Sequence, residues 1–290
     1  MPRVLVNGPA SWNTLVRLSS LPEPRSQTLF ASGQHDGLGG TSAGKALTLA
    51  ALGVDVTLRT ALGDDPEGAL VRAALAHPQI SLVTQGVART ERHVNLMADD
   101  GSRVSIYLEL PDPAPATMPS LDGVDAAVLD LADHSRPLLH AARAAAVPVW
   151  CDVHDDDGVA DYPRDFVAAA DVLLVSAAKL ADPRAYLADA VSRGCRLAVC
   201  TDGAAGALAL DADGWIEVPA APVAEVVDTN GAGDAFLAGL LSGVLDGLPV
   251  EGALARASAA GALAVTTRDL GAPSATAAAL DRVEVPVRRV

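Results

Sequence analysis

The sequence predicts an α/β protein: one large domain with a mainly parallel sheet covered by helices on both faces, and a small β element standing off it. Three observations lead there. Short β-branched or Leu-rich runs alternate with Ala-rich helical stretches along most of the 290 residues, as in a parallel sheet buried on both sides. Half of the residues are hydrophobic but only 3% are aromatic, so the core must be built from Ala, Val and Leu, which suits close helix-on-sheet packing. Two stretches, 28–37 and about 81–110, interrupt the rhythm, and the length accommodates one domain spanning 1–290 with these two as excursions.

In chain order, strands are expected over 4–7, 56–61, 126–131, 147–153, 172–176 and 197–201, each a short apolar run bounded by polar or Gly residues. Helices are expected over 42–52, 66–76, 136–146, 179–192, 233–245 and 250–266. In Gly63-Asp64-Asp65-Pro66-Glu67-Gly68, Asp65 is placed to cap and Pro66 to occupy the first helical position, where a missing N–H costs nothing. Within the second excursion, 94–97 and 103–108 flank Asp99-Asp100-Gly101, a hairpin turn. On the later strand Arg103, Ser105 and Tyr107 point one way and Val104, Ile106 and Leu108 the other, so the apolar side needs cover from the body or from a second subunit. Residues 111–119, with four prolines, read as the return to the main domain.

The formal charge, 21 − 36 = −15, repels phosphate backbones and anionic lipid, which argues against a nucleic-acid or membrane-surface partner. The opening residues are too short an apolar run for a signal segment, and no stretch of about 18 uninterrupted apolar residues follows. Cys151, Cys195 and Cys200 lie in or beside apolar runs without metal-ligand or C-x-x-C spacing, as reduced buried thiols do. A cytoplasmic protein is the expectation. The six histidines show no ligand spacing, and Ser11 and Ser176 have no partnered His/Asp arrangement for hydrolase chemistry.

The strongest signal is Asp228-Thr229-Asn230-Gly231-Ala232-Gly233-Asp234-Ala235-Phe236, continuing into an apolar helix. Glycines at 231 and 233 permit a tight turn that aims backbone N–H groups at an anion, and the helix adds the positive end of its dipole. Asp234 then sits where a carboxylate is stabilised and positioned to accept a proton from a hydroxyl. A carboxylate beside a phosphate cradle points to phosphoryl transfer; the bland alternative is an N-cap after a Gly-rich turn.

This string closely resembles the C-terminal signature of the PfkB/ribokinase family of carbohydrate kinases. Gly39-Gly40-Thr41-Ser42-Ala43-Gly44-Lys45-Ala46 is similar to the family's glycine pair and helix start, Gly63-Asp64-Asp65 with Gly68 to its G-x-D-x-x-G stretch, and Thr201-Asp202-Gly203-Ala204-Ala205-Gly206 to its T-x-G-x-x-G nucleotide segment. The resemblance implies a three-layer αβα ribokinase-like catalytic domain with a small β-sheet lid at 28–37 and 81–110. It implies ATP with Mg²⁺, transfer of the γ-phosphoryl group to a sugar hydroxyl, Asp234 as base, and the backbone of Gly231, Ala232 and Gly233 as anion hole. Thr201, Gly203 and Gly206, with Ser176 and Lys179, would line the nucleotide. A K⁺ site would involve Asp228 and Asn230 and the loop holding Gly271 and Ser274. Family members often dimerise through the lid, which would make this chain a homodimer.

Three departures bear on the acceptor and the metal. The family's N-x-x-E motif, which organises Mg²⁺, is replaced by Ser176-Ala177-Ala178-Lys179, and Lys179 is either a direct phosphate contact or a solvated residue. The early Asp that grips sugar hydroxyls is matched by Asn13, and the Asn after the glycine pair by Gly44, with Lys45 beside it, which weakens the usual diol grip. In the lid, Glu91-Arg92-His93-Val94-Asn95 with Arg103 would bring cationic groups toward the acceptor, favouring an anionic one such as a sugar phosphate. The expected acceptor-side residues are thus Asn13, Gly39, Gly40, Gly44, Lys45, Arg92, Asn95 and Arg103. A nucleoside kinase is the other enzymatic alternative, with Trp12 and Tyr107 as candidate base-stacking groups, and a non-catalytic sugar- or nucleotide-binding protein is the alternative from another class. A dinucleotide oxidoreductase fails because no G-x-G-x-x-G follows the first strand. In 152–157, one or two acidic side chains are candidates to reach the metal or acceptor.

Overall fold

The computed structural model describes residues 1–111 and 118–290. In chain order the elements are β1 (Arg3–Asn7), β2 (Ser11–Leu18), β3 (Gly33–Gly39), α1 (Thr41–Ala51), β4 (Asp55–Gly63), α2 (Pro66–Ala74), β5 (Ile80–Val87), β6 (Arg92–Ala98), β7 (Arg103–Glu109), β8 (Ala126–Leu129), α3 (Arg136–Ala144), β9 (Val149–Asp152), α4 (Arg164–Ala169), β10 (Val172–Ser176), α5 (Pro183–Ser192), β11 (Leu197–Thr201), β12 (Ala207–Asp211), β13 (Gly214–Val218), α6 (Ala232–Leu245), α7 (Val250–Ala264), α8 (Ala277–Leu280) and β14 (Arg288–Arg289).

Ten strands form the main sheet in the order β14-β13-β12-β11-β10-β9-β8-β1-β4-β5. From β11 to β5 the neighbours are parallel, and β12, β13 and β14 extend one edge antiparallel. The central strands carry apolar side chains on both faces because both are covered. Val4 and Val6 pack with α1, α2, α6 and α7, while Ala127 and Leu129 pack with α3, α4 and α5. This is the expected three-layer αβα arrangement. All three cysteines are buried and unpaired, and among the described residues no helix is long and apolar enough to cross a membrane.

The separate sheet has the order β3-β2-β6-β7, which corrects the lid boundaries in two ways. Residues 80–87 belong to the body: β5 pairs in parallel with β4 along its whole length, and its alternating exposure is that of an edge strand. Conversely, β2 joins the lid, between β3 and β6. Its buried residues alternate, Ser11, Asn13 and Leu15 facing one way, and the mixture of polar and apolar residues hides a strand from a search for apolar runs. The hairpin turn at 99–101 forms, with Gly101 at φ 84. On β7 the residues from Arg103 to Leu108 are exposed, Val104, Ile106 and Leu108 among them. Most of the proline-rich return at 111–119 lies outside the described residues.

Asp65 caps α2 by accepting the Gly68 N–H at 2.7 Å and also accepts from the backbone and hydroxyl of Thr90 at 2.7 and 2.6 Å. The turn is thereby fastened to the chain just before β6 enters the lid. The single helix expected over 179–192 breaks: Ala177–Lys179 is one 3₁₀ turn, and Asp182 caps a new helix at Pro183, because proline has no N–H to donate and its ring would strike the preceding turn.

Helix α6 is buried from Asp234 to Gly243 because α7 lies against it at very short range. A Cβ on Gly239 would fall 2.9 Å from Ala260 Cβ and 3.0 Å from the Arg256 carbonyl oxygen. Glycine here serves close approach, and backbone cannot yield as a flexible side chain would. Gly239→Val is therefore expected to destabilise the fold by about 1–3 kcal/mol, read as a lower Tm; an unchanged Tm would mean that the two helices are not packed through this position.

Candidate active site

Open α/β sheets present ligand groups at the C-terminal ends of their parallel strands. Along that edge Ser176 and Thr201 lie side by side at the ends of β10 and β11, Asp152 ends β9 and Asp130 follows β8. Two helices begin against the same edge, each after a glycine in the left-handed region: Gly40 (φ 91) before α1 and Gly231 (φ 79) before α6. At Gly231 a Cβ would lie 2.8 Å from the Gly271 backbone nitrogen, so the anion turn and the loop around Gly271 touch through backbone.

Between these elements lies a fully buried lysine. Lys45, one turn into α1, places Nζ 2.7 Å from Asp130 Oδ1, 3.1 Å from Asp152 Oδ2 and 3.0 Å from Asp234 Oδ1. Burial alone would strip its proton, but the three carboxylates reverse that and hold its pKa well above the usual value. Asp130 also accepts from the Ser42 hydroxyl at 2.5 Å. Asp152 is held down at about 2 against its burial, by His154 and Lys45, and its Oδ1 accepts the His154 N–H at 3.0 Å. His154 has φ 53, an uncommon left-handed conformation for a side chain of its kind.

Asp234 behaves differently. Burial pushes it up to about 6, with Lys45 opposing and Asp152 adding to the rise. Its Oδ2 accepts no hydrogen bond among the described residues. Gly44 is its neighbour: a Cβ there would lie 2.9 Å from that oxygen, so glycine in place of a larger residue lets the carboxylate approach α1.

On the lid, Ser11 and Asn13 of β2 and His93 and Asn95 of β6 are buried. Asn13 Oδ1 accepts the His93 N–H at 3.1 Å, and Gly39 lies so close that a Cβ would strike the Asn13 amide. Glu91 pairs with His93 at 2.8 Å, whose ring lies 3.9 Å from that of Tyr107, centroid to centroid. Ser11 Oγ and Asn95 Oδ1 are buried without partners, an uncommon condition for polar atoms. Trp12, considered for base stacking, instead packs against the main core.

The cationic residues expected to face an anionic acceptor are largely committed elsewhere. Lys45 is held by its three aspartates, and Arg92 lies 3.3 Å from Glu67 of α2. Arg103 donates to Asn230 Oδ1 at 3.2 Å. Lys179 pairs with Asp155 at 2.6 Å, both exposed, which is the solvated reading of that residue. Ser176 caps its own 3₁₀ turn, accepting the Ala178 N–H at 3.3 Å, and Thr201 Oγ1 donates to the Val175 carbonyl at 3.4 Å. Gly203 and Gly206 both have positive φ and shape the turn after β11. A cavity of about 450 Å³ adjoins that turn, lined in part by Ala177, Asp202, Ala205 and Glu217.

Two metals were implied by the resemblance. For potassium the donor set does not fit: Asp228 Oδ2 is paired with Arg17 Nη2 at 2.8 Å and Oδ1 accepts the Asn230 N–H at 2.9 Å. Ser274 is exposed, and Gly271, with φ 73, is packed under Thr48 and the Gly44 carbonyl. For Mg²⁺, the 176–179 stretch supplies no carboxylate, and the described residues hold no cluster of three or more acidic, His or Cys side chains suited to a metal. Sequence reasoning missed Asp130 and Arg17: Asp130 directly follows a buried parallel strand and was findable by the strand-end rule, whereas Arg17, on an unrecognised strand, carried no signal.

The family model for pfkB family carbohydrate kinases matches residues 12–277. The chain is 35% identical to an acarbose 7(IV)-phosphotransferase of Actinoplanes sp., over 96% of this chain and 95% of that one. It is 33% identical to an ATP-dependent ribose-1-phosphate kinase of Halopiger xanaduensis, over 91% and 92%. Among solved structures, a microbiome-derived acarbose kinase superposes with a TM-score of 0.82 at 30% identity, over 97% and 98% of the two chains. An Arabidopsis thaliana ribokinase bound to ribose and ATP gives 0.77, covering 98% and 99% at 22% identity, a likeness of fold. The chain therefore belongs to the pfkB family of carbohydrate kinases, and it catalyses ATP-dependent phosphorylation of a sugar.

Proposed function

We propose that this kinase transfers the γ-phosphoryl group of ATP to a hydroxyl of an uncharged or amine-bearing saccharide, with Asp234 as base. The observation that carries the reading is the state of Asp234: buried at the start of α6, behind the turn at Gly231, with one oxygen held by Lys45 and the other accepting no hydrogen bond among the described residues. As the acceptor oxygen attacks the γ-phosphorus, its proton passes to Asp234 Oδ2. The bond between the γ-phosphorus and the bridging oxygen breaks, and its electron pair leaves with ADP. The N–H groups of Gly231, Ala232 and Gly233 would meet the charge on the moving phosphoryl oxygens at the helix N-terminus. Arg103, lying beside Asn230, would act on that phosphoryl side. The nucleotide would lie along Thr201, Gly203 and Gly206. Mg²⁺, implied by the family, would supply charge neutralisation on the phosphates, held by them and by water.

The acceptor class rests on what the lid offers. Asn13, Asn95 and Ser11 present amides and a hydroxyl, two of them with unpartnered atoms, and Glu91 is the charged group next to them. Such a surface pairs with hydroxyls or an amine and leaves a phosphate without a counter-charge. Two of the similar proteins are acarbose kinases by name, which supports a saccharide larger than a free pentose. ATP supply and three buried thiols favour the cytoplasm.

The test is ADP release across neutral saccharides, acarbose, sugar phosphates and nucleosides, with Asp234→Asn as control. Turnover on a neutral or amine-bearing saccharide is expected, lower by about 10²-fold or more in the control while ATP still binds; turnover confined to sugar phosphates would overturn the acceptor class. Because Arg17 already neutralises Asp228, rates are expected to be equal in potassium and sodium salts at matched ionic strength. A steep potassium dependence would mean that the ion displaces Arg17. The exposed apolar side chains of β7 support a homodimer through the lid, and sedimentation as a monomer at micromolar concentration would remove it.

A further inference from the structure

The mechanism above uses Asp234 and leaves unexplained why a lysine is sealed behind it. A fully buried ammonium is costly to desolvate, and a buried ion pair is by itself weak evidence of a gain in stability. Here the ammonium contacts three carboxylates at 2.7–3.1 Å, of which one is the proposed base. The other two have further support from Ser42 and from the His154 backbone, so that side of the cluster is fixed independently of Asp234.

We propose that Lys45 is the positioning residue of the base: its ammonium, anchored by Asp130 and Asp152, holds Oδ1 of Asp234 and leaves Oδ2 to take the acceptor's proton. This rests on the assignment of Asp234 as base. The groups facing Asp234 are Lys45 from α1, Asp130 after β8, Asp152 at the end of β9 and His154 beyond it. The charged residues of α7 are turned elsewhere, Glu251 to Arg289 and Arg256 to Asp246 and Asp281 at the other end of α6; Arg268 and Asp269, near the Gly271 loop, are exposed. Lys45 favours the charged form of Asp234, and Asp130 and Asp152 favour the protonated one. The cluster thus sets the pH at which the base becomes available, and it does so with the carboxylate already oriented.

The chain contains two lysines, Lys45 and Lys179, which makes the test direct. In protein labelled with ¹³C-lysine, the Lys45 ε-carbon resonance is expected to shift with pH along the same curve as the acid limb of kcat/KM. That shift should vanish in Asp234→Asn, while exposed Lys179 shows no such step. Lys45→Met is expected to move the acid limb up by about one pH unit and Asp130→Asn to move it down, with kcat reduced in the first. Should Lys45→Met fail to fold, the labelled wild-type protein and Asp130→Asn decide the matter. A Lys45 resonance flat across the acid limb, or a limb unmoved in the folded variants, would overturn the proposal. Full turnover in Asp234→Asn would instead sink the base assignment on which it stands.

Discussion

The structure around the site depends on one constraint: a buried ammonium must keep its carboxylates. Removing one partner from a buried ion pair costs on the order of 3–5 kcal/mol, because the remaining charge is left in a medium that cannot solvate it. Lys45 therefore binds α1, the ends of β8 and β9 and the start of α6 into one arrangement. Each of these elements comes from a different part of the chain, and their neighbouring residues Ala46, Leu129, Val153 and Ala235 are buried in the apolar cores around the cluster. The surrounding glycines follow from the same demand. Gly44 lets Asp234 come close to α1, and Gly271 fits under Thr48, which also accepts the Ala272 N–H at 2.9 Å.

The same arrangement gives three carboxylates different chemistry. Asp152 has a backbone N–H and His154 in addition to the lysine, and it stays ionised well into acid. Asp234 shares the lysine, but among the described residues no backbone N–H donates to its free oxygen, and burial dominates, raising its pKa to about 6. A base whose pKa is close to working pH is present in the right form and still gains from taking the proton. Environment, not residue type, separates a structural aspartate from the proposed base.

Much of this was legible in the sequence because it is local. The strand at 172–176, the strand at 197–201, the Asp65 cap and the turn before α6 are each specified within a few residues by β-branching, a capping side chain or glycine. What was not legible is what requires two distant segments to meet. Strand β2 looks polar because it mixes buried polar side chains such as Ser11 and Asn13 with apolar ones, and β5 looks like lid because an edge strand alternates as a lid strand does. In the sequence alone, Arg92 and Lys45 are cations without visible partners and so point to an anionic acceptor. Their partners, Glu67 in one case and three aspartates in the other, are fixed by tertiary structure alone.

The lid and the phosphate turn are joined by more than proximity. Arg17 of β2 reaches Asp228 and the Val227 carbonyl, and Arg103 of β7 reaches Asn230, so both an inner and an edge strand of the lid touch the segment that leads into α6. Asp228 in turn orders that segment by accepting the Asn230 N–H. Such half-exposed contacts are worth about 1 kcal/mol or less each, enough to bias a lid without locking it. On the proposed function, closing over the acceptor and shaping the turn that would receive the phosphoryl group draw on the same contacts, so that exclusion of water from the cleft would coincide with assembly of its anion-binding face.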